Sequence, residues 1–325
     1  MITNVYYNNN GETKLANKLY ANIDGQSVLL WNKSSVTKFT PGNVPTFADG
    51  TDEEIADVLA AYYADELTWE DMGWNVGDTR LIHLDEMQAP NPYTGNWGAQ
   101  DITIVIVAHD HNDLATPING HTKACITVQT RECMNNEYAT YHSNTNTLNG
   151  HIYVNGDSAY DTTFTKWSSL YMRTYINNKV LGAITYSKNS SGTAVGSGTS
   201  FKNIIKQSKH YRHTTYNGTQ SELVTDTLFL PSYPEIYGTA SYSYYVATNP
   251  VEGTQFDYYA TSANRVKQGN NDGVANGTAQ RWWEGSASSY YYSSYGYYWC
   301  SVNTDGSAYS SNDTYAFGLA PAFAM

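Results

Sequence analysis

"YYWCSVNTDGSAYS", residues 297–310, runs from aromatic to polar through an Asp-Gly pair, and its reading decides how everything after Gly285 folds. Asp305-Gly306 between two runs of strand-forming residues predicts a β-hairpin. Alternation along the first strand then sends Cys300 and Val302 to one face and Trp299, Ser301 and Asn303 to the other. From Gly285 to Met325 there is no Lys, Arg, Glu or Gln, and Tyr, Ser, Gly, Asn, Asp, Ala and Thr fill most positions. A disordered tail would be rich in Pro, Glu, Lys or Gln. This segment instead runs into "AFGLAPAFAM" (316–325), which is apolar enough to require burial, so it is expected to be folded with its last residues inside.

Working outward, the chain has 325 residues with 41% hydrophobic and 15% charged, enough to bury a sizeable core. It carries 30 Tyr against 8 Phe. A buried phenol needs a hydrogen-bond partner, so this excess suits rings with one face on protein and one in water. The net charge of −12 argues against nucleic acid as a partner, since phosphate backbones are held by Lys and Arg. Cys125, Cys133 and Cys300 have neither a disulfide framework nor metal-ligand spacing and are expected to be buried small hydrophobes. The opening "MITNVYYNNNGETKLANKLY" shows no basic-then-apolar leader, from which synthesis in a cytosol is expected. No window approaches ~18 apolar residues, so membrane insertion is not expected.

Residues 1–45 read as a small β-rich attachment module, with "KLYANI", Asp24-Gly25 and "SVLLWN" forming a hairpin. Residues 46–75 read as a helical connector. Thr51 and Glu54 make a capping box, and Ile55, Val58, Leu59, Tyr62, Tyr63 and Leu67 recur at helical spacing. Residues 76–325 read as an α+β domain: Ile102 to Ala108 is β-branched enough for a central strand. Helices are expected in 165–184 and 201–214, on either side of the Ser/Gly-rich loop 187–200.

Chemical motifs are sparse. In "AHDHND" (His109, Asp110, His111, Asp113) a strand would put His109 and His111 on one face, which could suit a metal, but the segment falls where an apolar run gives way to polar residues. A strand exit with solvated side chains is the better reading, and neither a metal nor another cofactor is expected. No nucleophile elbow, phosphate loop or zincin motif is present, so no catalytic residues are assigned. Glu235, Arg281 and Glu284, set among bulky apolar residues in "DTLFLPSYPEIYG" and "RWWEGS", read as a core corner holding an ion pair.

The succession "WNVGDTRLIHL", "AQDITIVIVAHDHNDLATPINGHTKACITVQTREC", "DTLFLPSYPEIYG", "EGTQFDYYATSANRVKQ", "RWWEGS" and "GLAPAFAM" resembles phage and prophage tail proteins with a C-type-lectin-like C-terminal domain. It covers about residues 75–325. In some of these proteins a diversity-generating retroelement rewrites the terminal segment by randomising template adenines, turning AAY codons into NNY. NNY never encodes Lys, Glu, Gln, Met or Trp. The varied-looking positions of segment 285–316 keep to the permitted set, and Trp299 lies outside it. Gly285 and Ala287 depart from the family's "WWERSP" pattern.

The resemblance implies a receptor-binding protein of the virion, a homotrimer, attached to other tail proteins through its N-terminal module and recognising a bacterial surface protein or glycan. Its variable surface would be Ser288, Ser289, Tyr290, Tyr291, Tyr292, Ser293, Ser294, Tyr295, Tyr297, Tyr298, Ser301, Asn303, Asp305, Ser307, Tyr309, Ser310, Ser311, Asn312, Asp313 and Tyr315. Trp282, Trp283, Trp299, Val302 and Gly306 would be scaffold. Tyr with Ser, Gly and Asn is also the chemistry of antibody paratopes, where rigid aromatic area is combined with adaptable hydrogen bonding. Two alternatives stay open. One is a structural tail or baseplate protein using this face for a fixed contact. The other is an enzyme like the formylglycine-generating enzymes, which use a related fold and paired cysteines.

Overall fold

The computed structural model describes residues 39–89, 96–134, 166–213, 220–292, 296–312 and 317–325. It gives backbone alone for 5–9, 12–16, 18–23, 26–32, 93–94, 140–141, 151–152, 290–292, 296–297 and 312, as well as for 271 and 276. The architecture is mixed α+β, mostly antiparallel sheet with few helices. In the first 32 residues, strand Val5–Asn9 pairs with Glu12–Ala16, and Lys18–Ile23 pairs with Gln26–Asn32. The second pair is the expected hairpin.

The helix Asp52–Tyr63 starts where the sequence says it should. Thr51 Oγ1 accepts the Glu54 N–H at 3.1 Å, and Glu54 Oε2 accepts the Thr51 N–H at 2.9 Å. Ile55, Val58, Leu59, Tyr62, Tyr63 and Leu67 are all buried. What they pack on corrects the domain reading: residues 46–75 are not a connector, because these side chains share one core with the central sheet. Asp52 seals the join. It is buried, pairs with Arg80 at 2.8 Å, and accepts the Ser187 N–H at 3.1 Å. The Ser/Gly loop closes over it through Asp52 N–H to Val195 O at 3.0 Å. Gly196 is required there, since a Cβ would stand 1.8 Å from the Asp52 carboxylate.

The central sheet runs Ile184–Lys188, Thr79–Leu84, Gln100–His109, Ile126–Thr130, Ala322–Ala324, all antiparallel. Ile102, Ile104 and Ile106 face the helix-side core, while Val105 and Val107 face a second core with Phe229, Tyr259 and Ala322. Coverage on both faces explains an uninterrupted apolar run rather than an alternating one. Each such buried aliphatic side chain contributes about 1.5–3 kcal/mol. The last residues, Phe317 to Met325, are buried as expected.

Of the two expected helices, the first is a chain of short helical turns from Trp167 to Ala183. The second is corrected. Only Lys202–Ile204 is helical, and Ser208–His213 is a strand paired with Ser221–Asp226. Its buried side chains, Ser208, His210 and Arg212, are polar, so the period of two is invisible to a hydrophobicity pattern. Among the described residues, no helix is long and apolar enough to cross a membrane.

Candidate ligand-binding face

The second five-stranded sheet, ordered His151–Ile152, Phe317–Gly318, Trp282–Tyr292, Gly296–Val302, Ala308–Asn312, carries the segment read as variable. Its base is clamped on both faces. Trp282 enters one core with Tyr259 and Val302, its indole N–H donating to Arg265 O at 3.0 Å. Trp283 and Trp299 enter the other with Phe317. The scaffold residues are therefore all interior. The predicted hairpin is present, with Val302 opposite Ala308. Gly306 turns it at φ 81°, and a Cβ there would press on Val266 at 3.2 Å. Asp305 accepts the Ser307 hydroxyl at 2.6 Å and its N–H at 2.9 Å, bonds that hold its carboxyl below the usual range.

The residues expected on the surface divide. Asp305 and Ser307 are exposed, and Ser289, Tyr298, Asn303 and Tyr309 are half-buried. Ser288, Ser301, Ser310 and Ser311 are buried, which corrects their assignment as surface contacts. The hairpin strands are covered on both faces near their base, so a small hydroxyl there serves packing. Tyr290, Tyr291, Tyr292, Ser293, Ser294, Tyr295, Tyr297, Asn312, Asp313 and Tyr315 lie, in whole or in their side chains, outside the described residues. The backbone register pairs Tyr291 with Tyr297 and Tyr292 with Gly296 at the far end of the same ladder.

One element of this face was missed by sequence reasoning. The loop 241–252, "SYSYYVATNPVE", is fastened alongside the Trp282–Tyr292 strand: Tyr244 O accepts the Ser289 N–H at 2.7 Å and the Ser288 hydroxyl at 2.9 Å. Its rings stack onto the helix Tyr233–Tyr237, with Tyr245 on Tyr233 at 4.4 Å and Tyr242 edge-on to Tyr244 at 5.4 Å. Tyr244 is 40% exposed, Val246 43% and Val251 52%, an apolar margin beside the hairpin ladder. Leu223, 54% exposed, stands on the strand whose Ser221 hydroxyl donates to Pro250 O at 2.9 Å. The signal was in plain view, because "SYSYYV" uses the same Tyr/Ser alphabet as 288–298.

Beneath the face lies a polar interior. Glu252 accepts the His213 N–H and the Ser286 hydroxyl, both at 2.7 Å, and burial pushes its carboxyl up to about 7. Glu284 is buried with neither oxygen hydrogen-bonded among the described residues. Burial, then the neighbouring Glu252, push it well above the ordinary range. The expected ion pair is corrected: Glu235 pairs with Arg212 at 3.6 Å, while Arg281 lies over Tyr309 and donates to Asn303 Oδ1 at 2.8 Å. Gly285 fits because a Cβ would meet Leu230 O at 2.5 Å and Arg212 Nε at 3.1 Å. An arginine at 285, as in "WWERSP", has no room in this arrangement.

Elsewhere the motif residues are occupied individually. His109 contacts Trp74 O at 2.9 Å and stacks on Trp69, His111 contacts Thr254, and Asp110 accepts the Tyr62 hydroxyl. No group of three or more His, Cys, Asp or Glu among the described residues could hold a metal. All three cysteines are buried thiols, as expected, and burial raises each of them. A separate pocket of about 620 Å³ lies between residues 42–48 and 70–79 and includes nothing from the sheet or its loop.

Residues 166–325 match the model of a family described as a domain of unknown function, DUF6273, and no curated protein or solved structure matches the chain. The matched segment contains the whole loop 241–252 and the hairpin ladder. It supplies only two strands of the central sheet, Ile184–Lys188 and Ala322–Ala324, so its core is completed by residues outside it.

Proposed function

We propose that the chain is a ligand-capturing protein of a phage or prophage tail, with residues 39–325 forming a C-type-lectin-like domain whose hairpin ladder and adjoining loop meet a bacterial surface molecule. The observation that carries this reading is where the tryptophans of the hairpin sheet sit relative to its rim. Residues excluded by the NNY codon set, Trp282, Trp283 and Trp299, are interior anchors, while Tyr298, Asn303, Asp305, Ser307 and Tyr309, all NNY-permitted, reach the surface. A rigid base with a substitutable rim is what a diversified paratope requires. The exposed Tyr244 extends the rim with a residue outside the variable segment. Aromatic anchors of this kind supply on the order of 2 kcal/mol or more each when they fill a partner's pocket, and a trimer would multiply weak contacts through avidity. Catalysis has no part in this reading.

Sequencing sibling genomes tests it. The expected result is variation at the NNY-compatible surface positions, constancy at Trp299 and Val302, and a nearby repeat differing only at adenines. Identity throughout 285–316 contradicts the diversified face.

A further inference from the structure

The chain has six arginines, and five of them are spent on internal acceptors. Arg80, Arg131, Arg173 and Arg212 each meet a carboxylate, and Arg265 donates to Tyr259 O at 3.0 Å. Arg281 is held differently. Its Nε donates to Asn303 Oδ1 at 2.8 Å, and its guanidinium carbon lies over the rings of Tyr309 at 4.5 Å and Phe317 at 5.7 Å. Its backbone is fixed as well: Arg281 O accepts the Gly318 N–H at 2.8 Å, and the next residue, Trp282, is fully buried. Two rings and a hydrogen bond therefore set the plane of the guanidinium before any ligand arrives.

A guanidinium has five N–H donors in a planar fork, and the bond to Asn303 uses only the one on Nε. Nη1 and Nη2 have no partner among the described residues. Neither is among the buried unpaired atoms, and the residue is half-buried, so the fork opens to solvent. The chain carries 30 Asp and Glu against 18 Lys and Arg. A guanidinium oriented this firmly, with no carboxylate of its own among the described residues, is placed for one that comes from outside.

The neighbours narrow the ligand. Arg281, Asn303, Ser307 and Asp305 are joined by a continuous series of hydrogen bonds: Asn303 N–H donates to Ser307 O at 2.8 Å, and the Ser307 hydroxyl to Asp305 Oδ1 at 2.6 Å. Asn303 turns its oxygen to Arg281, which leaves its amide N–H groups for another acceptor. Asp305 is exposed and takes both Ser307 donors on Oδ1, so Oδ2 is left to accept a hydroxyl. Half-buried Tyr309 adds an aromatic edge and a phenol. A fork for a carboxylate, an amide donor and a hydroxyl acceptor around one turn fit an acidic sugar. Phosphate fits less well, because Asp305 opposes a second negative charge. An Asp or Glu side chain of a protein partner brings no hydroxyl for Asp305.

We propose that Arg281 is the fixed anion-recognising residue of the hairpin face and that it selects a carboxylate-bearing sugar, of the uronic acid or sialic acid type. This deepens the proposed function and rests on it. Arg281 lies outside segment 285–316, whereas Asn303, Asp305, Ser307 and Tyr309 around it are NNY-permitted. Charge recognition is then constant while the contacts that tell one acidic sugar from another are free to change.

An array of uronate and sialate oligosaccharides, each beside its methyl ester, tests this, with a glutamate-rich peptide and a phosphorylated sugar as further spots. Wild type is expected to prefer at least one acid over its ester by about tenfold or more, and Arg281→Gln to bring that ratio below about twofold. Arg281→Lys, a point charge without the fork, should fall between them. The ratio separates contact from scaffolding, since a merely structural role weakens acid and ester alike. No acid preferred over its ester, or a preference kept in Arg281→Gln, overturns the proposal, and binding confined to the peptide or phosphate spots overturns the sugar. If Arg281→Gln does not fold, Arg281→Lys decides: a lowered ratio supports the proposal and an unchanged one overturns it. Acid selectivity through Arg281 in a protein that adsorbs to no bacterium contradicts the proposed function alone. Adsorption that is indifferent to Arg281 contradicts this proposal alone.

Discussion

The two five-stranded sheets share an architecture and are held by opposite chemistries. In the central sheet Ile102 to Ala108 are buried among aliphatic and aromatic side chains, and stability there is a matter of shape. In the hairpin sheet the equally buried positions include Ser286, Ser288, Ser301, Ser310, Ser311 and Glu284, interleaved with tryptophans. That sheet depends on hydrogen bonds reaching specific atoms, and where none is made among the described residues, as at Glu284, burial pushes the carboxyl well above its ordinary range. Hydrophobic packing tolerates a change of volume in proportion to the atoms lost. A polar network fails at single atoms.

The largest expected effect removes an anchor common to both designs. Trp283→Ala should cost ~3–5 kcal/mol, read by chemical denaturation, because a fully buried indole leaves a cavity that the clamped sheet cannot collapse into. Ile104→Ala in the central sheet should cost ~2–4 kcal/mol and should do so equally at every pH.

The first of these regions was legible in the sequence throughout and the second only in its hairpin, for a physical reason. A strand covered on both faces by aliphatics prints its burial directly as "ITIVIVA", and the helix at Asp52 prints its start as Thr51 with Glu54. The hairpin was legible too, because Asp305-Gly306 is a local signal. The inside-outside assignment of its serines was not, since a serine that satisfies Glu252 and one that faces water are the same letter. For the same reason Ser208–His213 was read as helix, its inward face being Ser, His and Arg. The loop 241–252 was missed because its role depends on Ser288 and Ser289, more than forty residues away.

A sharper comparison comes from Ser286→Ala. It leaves Glu252 Oε2 and the Tyr233 N–H without this partner, and should cost ~1–3 kcal/mol despite removing a single oxygen. A loss under ~0.5 kcal/mol would place the hairpin sheet with the central one as a packing structure.

His213 gives the hairpin side a pH dependence of its own. Its folded value, about 4, lies below the unfolded one, so the unfolded chain takes the proton first and stability is lost as pH falls from about 6.5 toward 4. In His213→Gln that loss should shrink by up to ~3 kcal/mol in denaturation profiles, whereas Ile104→Ala should leave the profile's shape unchanged.

The smallest expected effects on stability are at the rim. Tyr244→Ser, Tyr298→Ser and Tyr309→Ser should each change it by no more than ~1 kcal/mol, since the three rings are exposed or half-buried. That contrast leads to the measurement bearing most directly on the proposed function: adsorption of labelled protein to a panel of bacterial isolates, comparing wild type with the triple variant Tyr244→Ser, Tyr298→Ser, Tyr309→Ser. The rim residues predict at least about a thirtyfold loss of adsorption with little change in melting temperature, equivalent to one aromatic anchor at ~2 kcal/mol. Adsorption that survives the triple replacement in a folded protein would contradict the proposed function.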